Sequence, residues 1–290
     1  MKLHTINTQL FKLDGGAMFG VVPKSIWNKL NPADENNLCT WAMRCLLIEE
    51  DNRLILVDNG IGNKQDAKFF SYYYLHGPDT LDASLRNHGF HKDDITDVIL
   101  THLHFDHCGG SIVRDGDKLM PAFKKAVYWS NAQQWQWATH PNDREKASFL
   151  TENFLPIQES GQLQFVAAPK TTLEQTDKVP LINFSDEICM RFVNGHTDMM
   201  MLPQISYKGK TIVFMADLTP SVAHLPVPYV MAYDMFPLKT LQEKKSFLKE
   251  ALDKEYILFF EHDANIECCT LQQTERGIRQ KDVFKLSEIN

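Results

Sequence analysis

Residues 101–110 read THLHFDHCGG, with His102, His104, Asp106 and His107 inside six positions. A single packed histidine needs no functional reason. Crowding imidazoles around a carboxylate is different, because as cations they would repel one another. They are expected to be neutral and to keep a lone pair, the state a metal requires. His102 and His104 stand two apart and can point the same way, and Asp106 and His107 can serve a second ion across the turn. Catalytic zinc takes three protein ligands and leaves one position open, so four donors suit two metals better than one. Two metals need further ligands, including a carboxylate to bridge them.

Those ligands are found just past other apolar runs. His102 follows DVILT, His196 follows CMRFVNG, Asp217 follows TIVFMA, His262 follows YILFFE and Asp58 follows RLILV. Loops at strand ends hold reactive groups on a rigid scaffold. Imidazole with carboxylate suits zinc best, with manganese, iron or cobalt as alternatives.

The surrounding pattern is α/β or α+β, with helices covering sheets. CLLIEEDNRLILVDNG (Cys45 to Gly60) reads as a hairpin around an Asp-Asn turn, and QISYKGKTIVFMAD as a second one turning at Lys208-Gly209. TLDASLRNHG predicts a helix with Leu81 and Leu85 on one face and Gly89 as its stop. NDREKASFLTENFL predicts a surface helix from Asn142. TLQEKKSFLKEALDKE predicts the clearest helix, with Thr240 and Glu243 at capping-box spacing and Leu241, Phe247, Leu248, Ala251 and Leu252 as its apolar stripe. No repeat or Pro/Gly/Ser-rich linker divides the sequence, so one domain over residues 1–290 is the simplest expectation.

The chain has 290 residues, 43% hydrophobic and 23% charged, with a net charge of −7. Its basic blocks do not exceed a Lys-Lys pair, which argues against a nucleic-acid partner. No run approaches the ~18 apolar residues of a membrane span, and MKLHTINTQLFKLDGG lacks an apolar signal segment. The six cysteines lack CxxC spacing and read as free thiols, so a reduced, cytoplasmic protein is expected. Cys108 reads as a packed thiol at a helix start.

Taken together, HLHFDH followed by Gly109-Gly110, GHT at Gly195 to Thr197, AD at Ala216-Asp217, EHD at Glu261 to Asp263 and VDNG around Asp58 resemble the motif series of the metallo-β-lactamase superfamily, in family order. The resemblance implies a four-layer αββα sandwich. It implies that His102, His104 and His196 hold one metal, that Asp106, His107 and His262 hold a second, that Asp217 bridges, and that Asp58 is mainly structural. An aspartate at 217 argues against antibiotic hydrolysis, for which the best-known β-lactamases carry cysteine. A histidine at 104, with no flavodoxin-like second domain, argues against the redox di-iron branch. The short tail after His262 argues against thioesterases of the glyoxalase II type.

GGAMFGVVPKSIW (Gly15 to Trp27) and SVAHLPVPYVMAYD (Ser221 to Asp234) resemble segments of quorum-quenching N-acyl-homoserine lactonases and of methyl-parathion-hydrolase-like proteins. The implied function is lactone-ring opening by a metal-bridging hydroxide, with two divalent ions, zinc first among them, as cofactors and a small-molecule ester or lactone as substrate. Asp106 would ligate and steer the proton to the leaving oxygen. Tyr229 or Tyr233, and less so Tyr72 to Tyr74, would donate to the carbonyl oxygen. His224 is a candidate for contact with the substrate or behind the ligands, and Asp263 for orienting a metal histidine.

Met18, Phe19, Trp27, Leu225, Val227, Tyr229, Met231 and Phe236 read either as core or as the mouth of an acyl-chain pocket, with the resemblance favouring the mouth. The same apolar surface also suits a homodimer. An organophosphate or aryl-ester hydrolase is the alternative function, and a non-catalytic metal-binding protein of the same fold is a third.

Overall fold

The computed structural model describes residues 1–168 and 181–289. The chain forms two compact units, Met1–Leu10 with Met43–Lys170 and Phe11–Ala42 with Thr171–Asn290.

The first unit is organised by a six-stranded sheet of β1 (Lys2–Asp14), β2 (Leu38–Glu50), β3 (Arg53–Val57), β4 (Asp97–Ile99), β7 (Val127–Ser130) and β8 (Leu163–Phe165), in the order β1-β2-β3-β4-β7-β8. The strands β5 (Ile112–Asp115) and β6 (Lys118–Pro121) form a separate hairpin. β2 and β3 are the expected hairpin, turning at Asp51, whose φ of 50° is left-handed. From β3 to β8 the pairing is parallel. Parallel strands need both faces covered, which is why RLILV and DVI are almost entirely buried. Leu56, Val98, Leu100, Phe123, Tyr128 and Phe154 belong to this core.

The second unit carries a seven-stranded sheet of β9 (Ile182–Asn183), β10 (Ile188–Val193), β11 (Met200–Tyr207), β12 (Lys210–Phe214), β13 (Ile257–Phe259), β14 (Cys268–Thr274) and β15 (Gly277–Phe284), in sequential order. Only β12 and β13 pair in parallel, joined by the helix Pro237–Asp253, and the other pairs are antiparallel. β11 and β12 form the expected Lys208-Gly209 hairpin, both turn residues having positive φ.

Two helix expectations need correction. After Asn142 the chain makes turns through residue 148, then a 3-10 turn at Thr151–Asn153 and a helix at Leu155–Glu159. Glu145, Phe149 and Phe154 are all buried, and they face inward at spacings that one solvent-facing helix could not satisfy. The long helix starts at Pro237, not after Thr240. Proline fits the first helical position, where its missing N–H costs nothing. Thr240 is buried, and Glu243 accepts instead from the backbone N–H groups of Asn194 and Gly195, both at 2.9 Å. Phe247, Leu248 and Ala251 are buried as expected, whereas Leu241 and Leu252 are only half-buried. The helix Leu81–Asn87 forms as read, capped by Thr80 and followed by Gly89 at φ 84°.

Among the described residues no helix is long and apolar enough to cross a membrane. All six cysteines are free thiols. Cys108 ends rather than starts the short helix Phe105–Cys108. It is fully buried, with Sγ 3.3 Å from the Leu103 carbonyl, and burial pushes it up to about 12.

Candidate metal centre

In the first unit, the parallel register of β3 and β4 sets the site. Val57 pairs with Ile99, so Asp58 and residues Thr101 to His102 leave the same edge side by side. Asp58 takes φ 56°, a left-handed backbone that is strained for a residue with a side chain. It accepts from Thr101 twice, at 2.8 Å from the backbone N–H and at 2.6 Å from the hydroxyl. The loop ends in two glycines for a steric reason. A Cβ at Gly109 would sit 2.2 Å from the Ile61 carbonyl oxygen, and one at Gly110 would sit 2.2 Å from that of Asn59.

Hydrogen-bond partners indicate which nitrogen of each imidazole is turned toward the other candidate ligands. The Thr101 hydroxyl spends its proton on Asp58, so toward His102 Nδ1, 3.1 Å away, it is an acceptor. His102 Nδ1 therefore carries the proton and Nε2 the lone pair. His104 donates from Nε2 to Glu145 Oε1 at 2.9 Å, which leaves its lone pair on Nδ1. The two lone pairs face each other at 3.0 Å. Between neutral imidazoles that contact is repulsive, and a shared cation resolves it. His107 donates from Nδ1 to Asp58 Oδ2 at 3.1 Å and turns Nε2 toward Asp106 Oδ2, 3.8 Å away. All four residues are buried.

In the second unit, Phe214 pairs with Phe259 across parallel β12 and β13, so Asp217 and His262, equally far past their strands, emerge together. His196 stands just as far past Val193 on β10, which runs in the same direction. Ala216 takes φ 39° to turn Asp217 inward. Gly195 is required because a Cβ there would meet Thr240 at 2.2 Å.

His196 donates from Nδ1 to Asp234 Oδ1 at 2.8 Å, and its Nε2 faces Asp217 Oδ2 at 3.0 Å. His262 donates from Nδ1 to the Ala42 carbonyl at 2.7 Å, and its Nε2 faces Asp217 Oδ1 at 3.1 Å. Asp217 is thus a carboxylate with one imidazole nitrogen on each oxygen, the geometry a bridging ligand needs. Burial alone would push His196 down, but Asp217 and Asp234 on either side raise it to about 10. In the chain without metal, a proton then occupies the place of a cation. The donor set therefore fits divalent metal in both units.

Other candidates fall differently. His224 is fully buried, with Nδ1 2.8 Å from Ser221 Oγ and Nε2 2.9 Å from the Met18 carbonyl, and its ring stacks on Phe19 at 4.5 Å. Burial, with the Lys244 charge, pushes it down to about 3. It is a neutral packing residue. Asp263 accepts from the N–H groups of Val222, Asn265 and Ile266 and so holds turns; it is Ala42 that orients His262.

Met18, Phe19, Trp27, Leu225 and Met231 are core, which corrects their reading as a pocket mouth, whereas Val227, Tyr229 and Phe236 are half-buried. Tyr229 is half-buried on the wall of a cavity of about 630 Å³, and Tyr233 is exposed. Tyr72 and Tyr74 are exposed, while the Tyr73 ring packs 4.7 Å from that of Phe105. Burial and the nearby Asp106 push the Tyr73 phenol up to about 12. Glu145, Asp234 and the Ala42 carbonyl carry orienting roles that the sequence reading did not assign.

Residues 44–113, the stretch holding VDNG and HLHFDH, match the model of the metallo-β-lactamase superfamily. The chain has that superfamily's mixed α/β fold. A probable metal-dependent hydrolase from Staphylococcus aureus superposes with TM-score 0.82 at 28% identity, over 93% of this chain and 91% of that one. A dizinc quorum-quenching lactonase, solved with a product N-acyl-homoserine, superposes with TM-score 0.75 over 99% and 95% of the two chains, at 20% identity. The N-acyl homoserine lactonase of Bacillus thuringiensis subsp. kurstaki is 31% identical over 97 residues, 30% of this chain and 38% of that protein. The match thus spans well under half the length of these curated relatives.

Proposed function

We propose that the chain is a dinuclear metal-dependent hydrolase that opens lactones of the N-acyl-homoserine type. In this reading His102, His104 and His196 take one divalent ion, Asp106, His107 and His262 a second, and Asp217 serves both, with zinc as the metal in a cytoplasmic enzyme. The observation that carries it is the orientation of the histidines: each has one nitrogen tied to an oxygen partner and the other turned toward a fellow candidate ligand.

When bound, such a metal pair supplies hydroxide at neutral pH and polarises an ester carbonyl. The chain's own groups do the rest. Asp58, Glu145 and Asp234 hold the imidazoles in register, so ligand geometry is set before substrate arrives. Asp106 is the proton carrier to the leaving oxygen. Tyr229, on the cavity wall, is the donor to the carbonyl oxygen, with Tyr73 as the second candidate. The supporting likeness is to curated lactonases and to a dizinc lactonase of the same fold.

The test is proton release by zinc-loaded protein from N-acyl-homoserine lactones, aryl esters and phosphotriesters, with Asp106→Asn as control. Lactone turnover that drops by about a hundredfold or more in the variant is the expected result. Turnover of phosphotriesters or aryl esters alone would move the substrate assignment and keep the metal centre. Zinc binding with no turnover of any ester would remove the enzyme reading.

A further inference from the structure

The cavity of about 630 Å³ lies within the second unit and has the size of a small-molecule site. Its wall includes Asp263, next in sequence to the candidate ligand His262, together with Trp41 and Tyr229. Lys29, Arg276 and Arg279 also line it. Lys29 and Arg276 are exposed and Arg279 is half-buried, so this wall carries local positive charge in a chain of net charge −7.

None of the three forms an ion pair with a carboxylate among the described residues; Arg279 gives one N–H to the neighbouring Ile278 carbonyl at 2.6 Å. Asp263 is also in the wall, its oxygens accepting backbone N–H groups, and its single negative charge offsets only part of the three cations. The lining therefore offers guanidinium donors and a net positive charge beside Tyr229.

We infer that this cavity receives the acyl arm of the substrate and selects an arm ending in a carboxylate, which Arg276 and Arg279 bind. This deepens the proposed hydrolase function and rests on it for the reacting end of the substrate. Guanidinium is suited to the task because its planar fork meets a carboxylate with paired hydrogen bonds and stays charged at any working pH. A plain alkyl arm would leave those donors with water alone.

The test compares hexanoyl-homoserine lactone with its 5-carboxypentanoyl counterpart on zinc-loaded protein; the two differ in the carboxylate that replaces the terminal methyl. The expected kcat/KM favours the carboxylate by about tenfold or more, the scale of a charge-assisted hydrogen bond. That ratio should fall toward one in the double variant Arg276→Gln, Arg279→Gln, and should shrink as salt is raised. Equal rates, or a preference for the alkyl arm, would overturn the inference and leave the hydrolase standing. If neither lactone is opened, the proposed function fails, and calorimetric binding of the two ring-opened products decides the inference separately. Tighter binding of the carboxylate-bearing product, lost in the double variant, supports it; equal binding overturns it.

Discussion

The loop Thr101–Gly110 and the insert Ser221–Phe236 are both irregular segments with fully buried histidines, yet they use them in opposite ways. In the loop each imidazole ties one nitrogen to an oxygen partner and turns the other toward a fellow candidate ligand. In the insert His224 commits both, to Ser221 and to the Met18 carbonyl. Burial does not separate a candidate ligand from a packing residue; what the second nitrogen faces does. Charge follows the same rule. His196, buried between two carboxylates, is raised to about 10, whereas His224, equally buried with the Lys244 charge nearby, is lowered to about 3.

The largest effect should come from disturbing the tied nitrogen. Asp58→Asn weakens the acceptor of His107 Nδ1 and loosens Thr101, which in turn orients His102. Zinc affinity should fall by about 10- to 100-fold, the usual consequence of losing a partner behind a metal ligand. Competition against a chromogenic chelator measures it. Affinity unchanged from the parent would mean that imidazole orientation is set by packing alone, and the contrast between the two regions would lose its basis.

A smaller and different effect is expected in the insert. His224→Leu keeps most of the volume but leaves the Ser221 hydroxyl and the Met18 carbonyl without their partner. The cost is on the order of 2–3 kcal/mol of stability, the price of unsatisfied buried polar groups. Thermal denaturation should show it, while the zinc-competition midpoint stays where it was. A shift in zinc affinity comparable to that of Asp58→Asn would place His224 in the metal site after all.

These contrasts also mark what was legible in the sequence. The candidate donors were, because His102, His196, Asp217 and His262 stand just past apolar strands and strand ends are visible as the end of a hydrophobic run. The two hairpins were legible through their turn residues. The orienting groups were not. Glu145 lies in a stretch whose composition mimics a surface helix, and only the fold turns it toward His104. Asp234 sits in the insert with nothing local to connect it to His196. The partner of His262 is a backbone carbonyl, which no residue type reveals. The apolar residues of the insert divided for the converse reason: core and pocket walls share a composition, and only burial separates Leu225 and Met231 from Tyr229. Register is the common cause, since partners tens of residues apart meet through strand pairing that local pattern does not encode.

The smallest expected effect concerns how the two segments are fastened, and it is the same device in each. Lys64 Nζ donates to the Gly109 carbonyl at 2.6 Å, at the end of the ligand loop. Lys244 Nζ donates to the carbonyls of Pro226 and Tyr229 at 3.1 and 2.6 Å, inside the insert. Burial lowers Lys64 to about 8 and Lys244 to about 7. Between those values and the ordinary 10.5 of lysine, the unfolded chain holds the proton that the folded chain has released. The unfolded state binds more protons there, so stability rises with pH across that window and the gain is complete only near the unfolded value. Lys244→Met should remove its share of the rise from about pH 7 upward, and Lys64→Met a smaller share beginning about one unit later. Melting temperatures between pH 7 and pH 10 would show slopes differing by a few degrees. A Lys244→Met slope equal to the parent's would mean that the lysine keeps its proton through its two carbonyls. The insert would then be held by an ammonium at every pH, and the loop and the insert would be fastened by chemistry that differs in charge state.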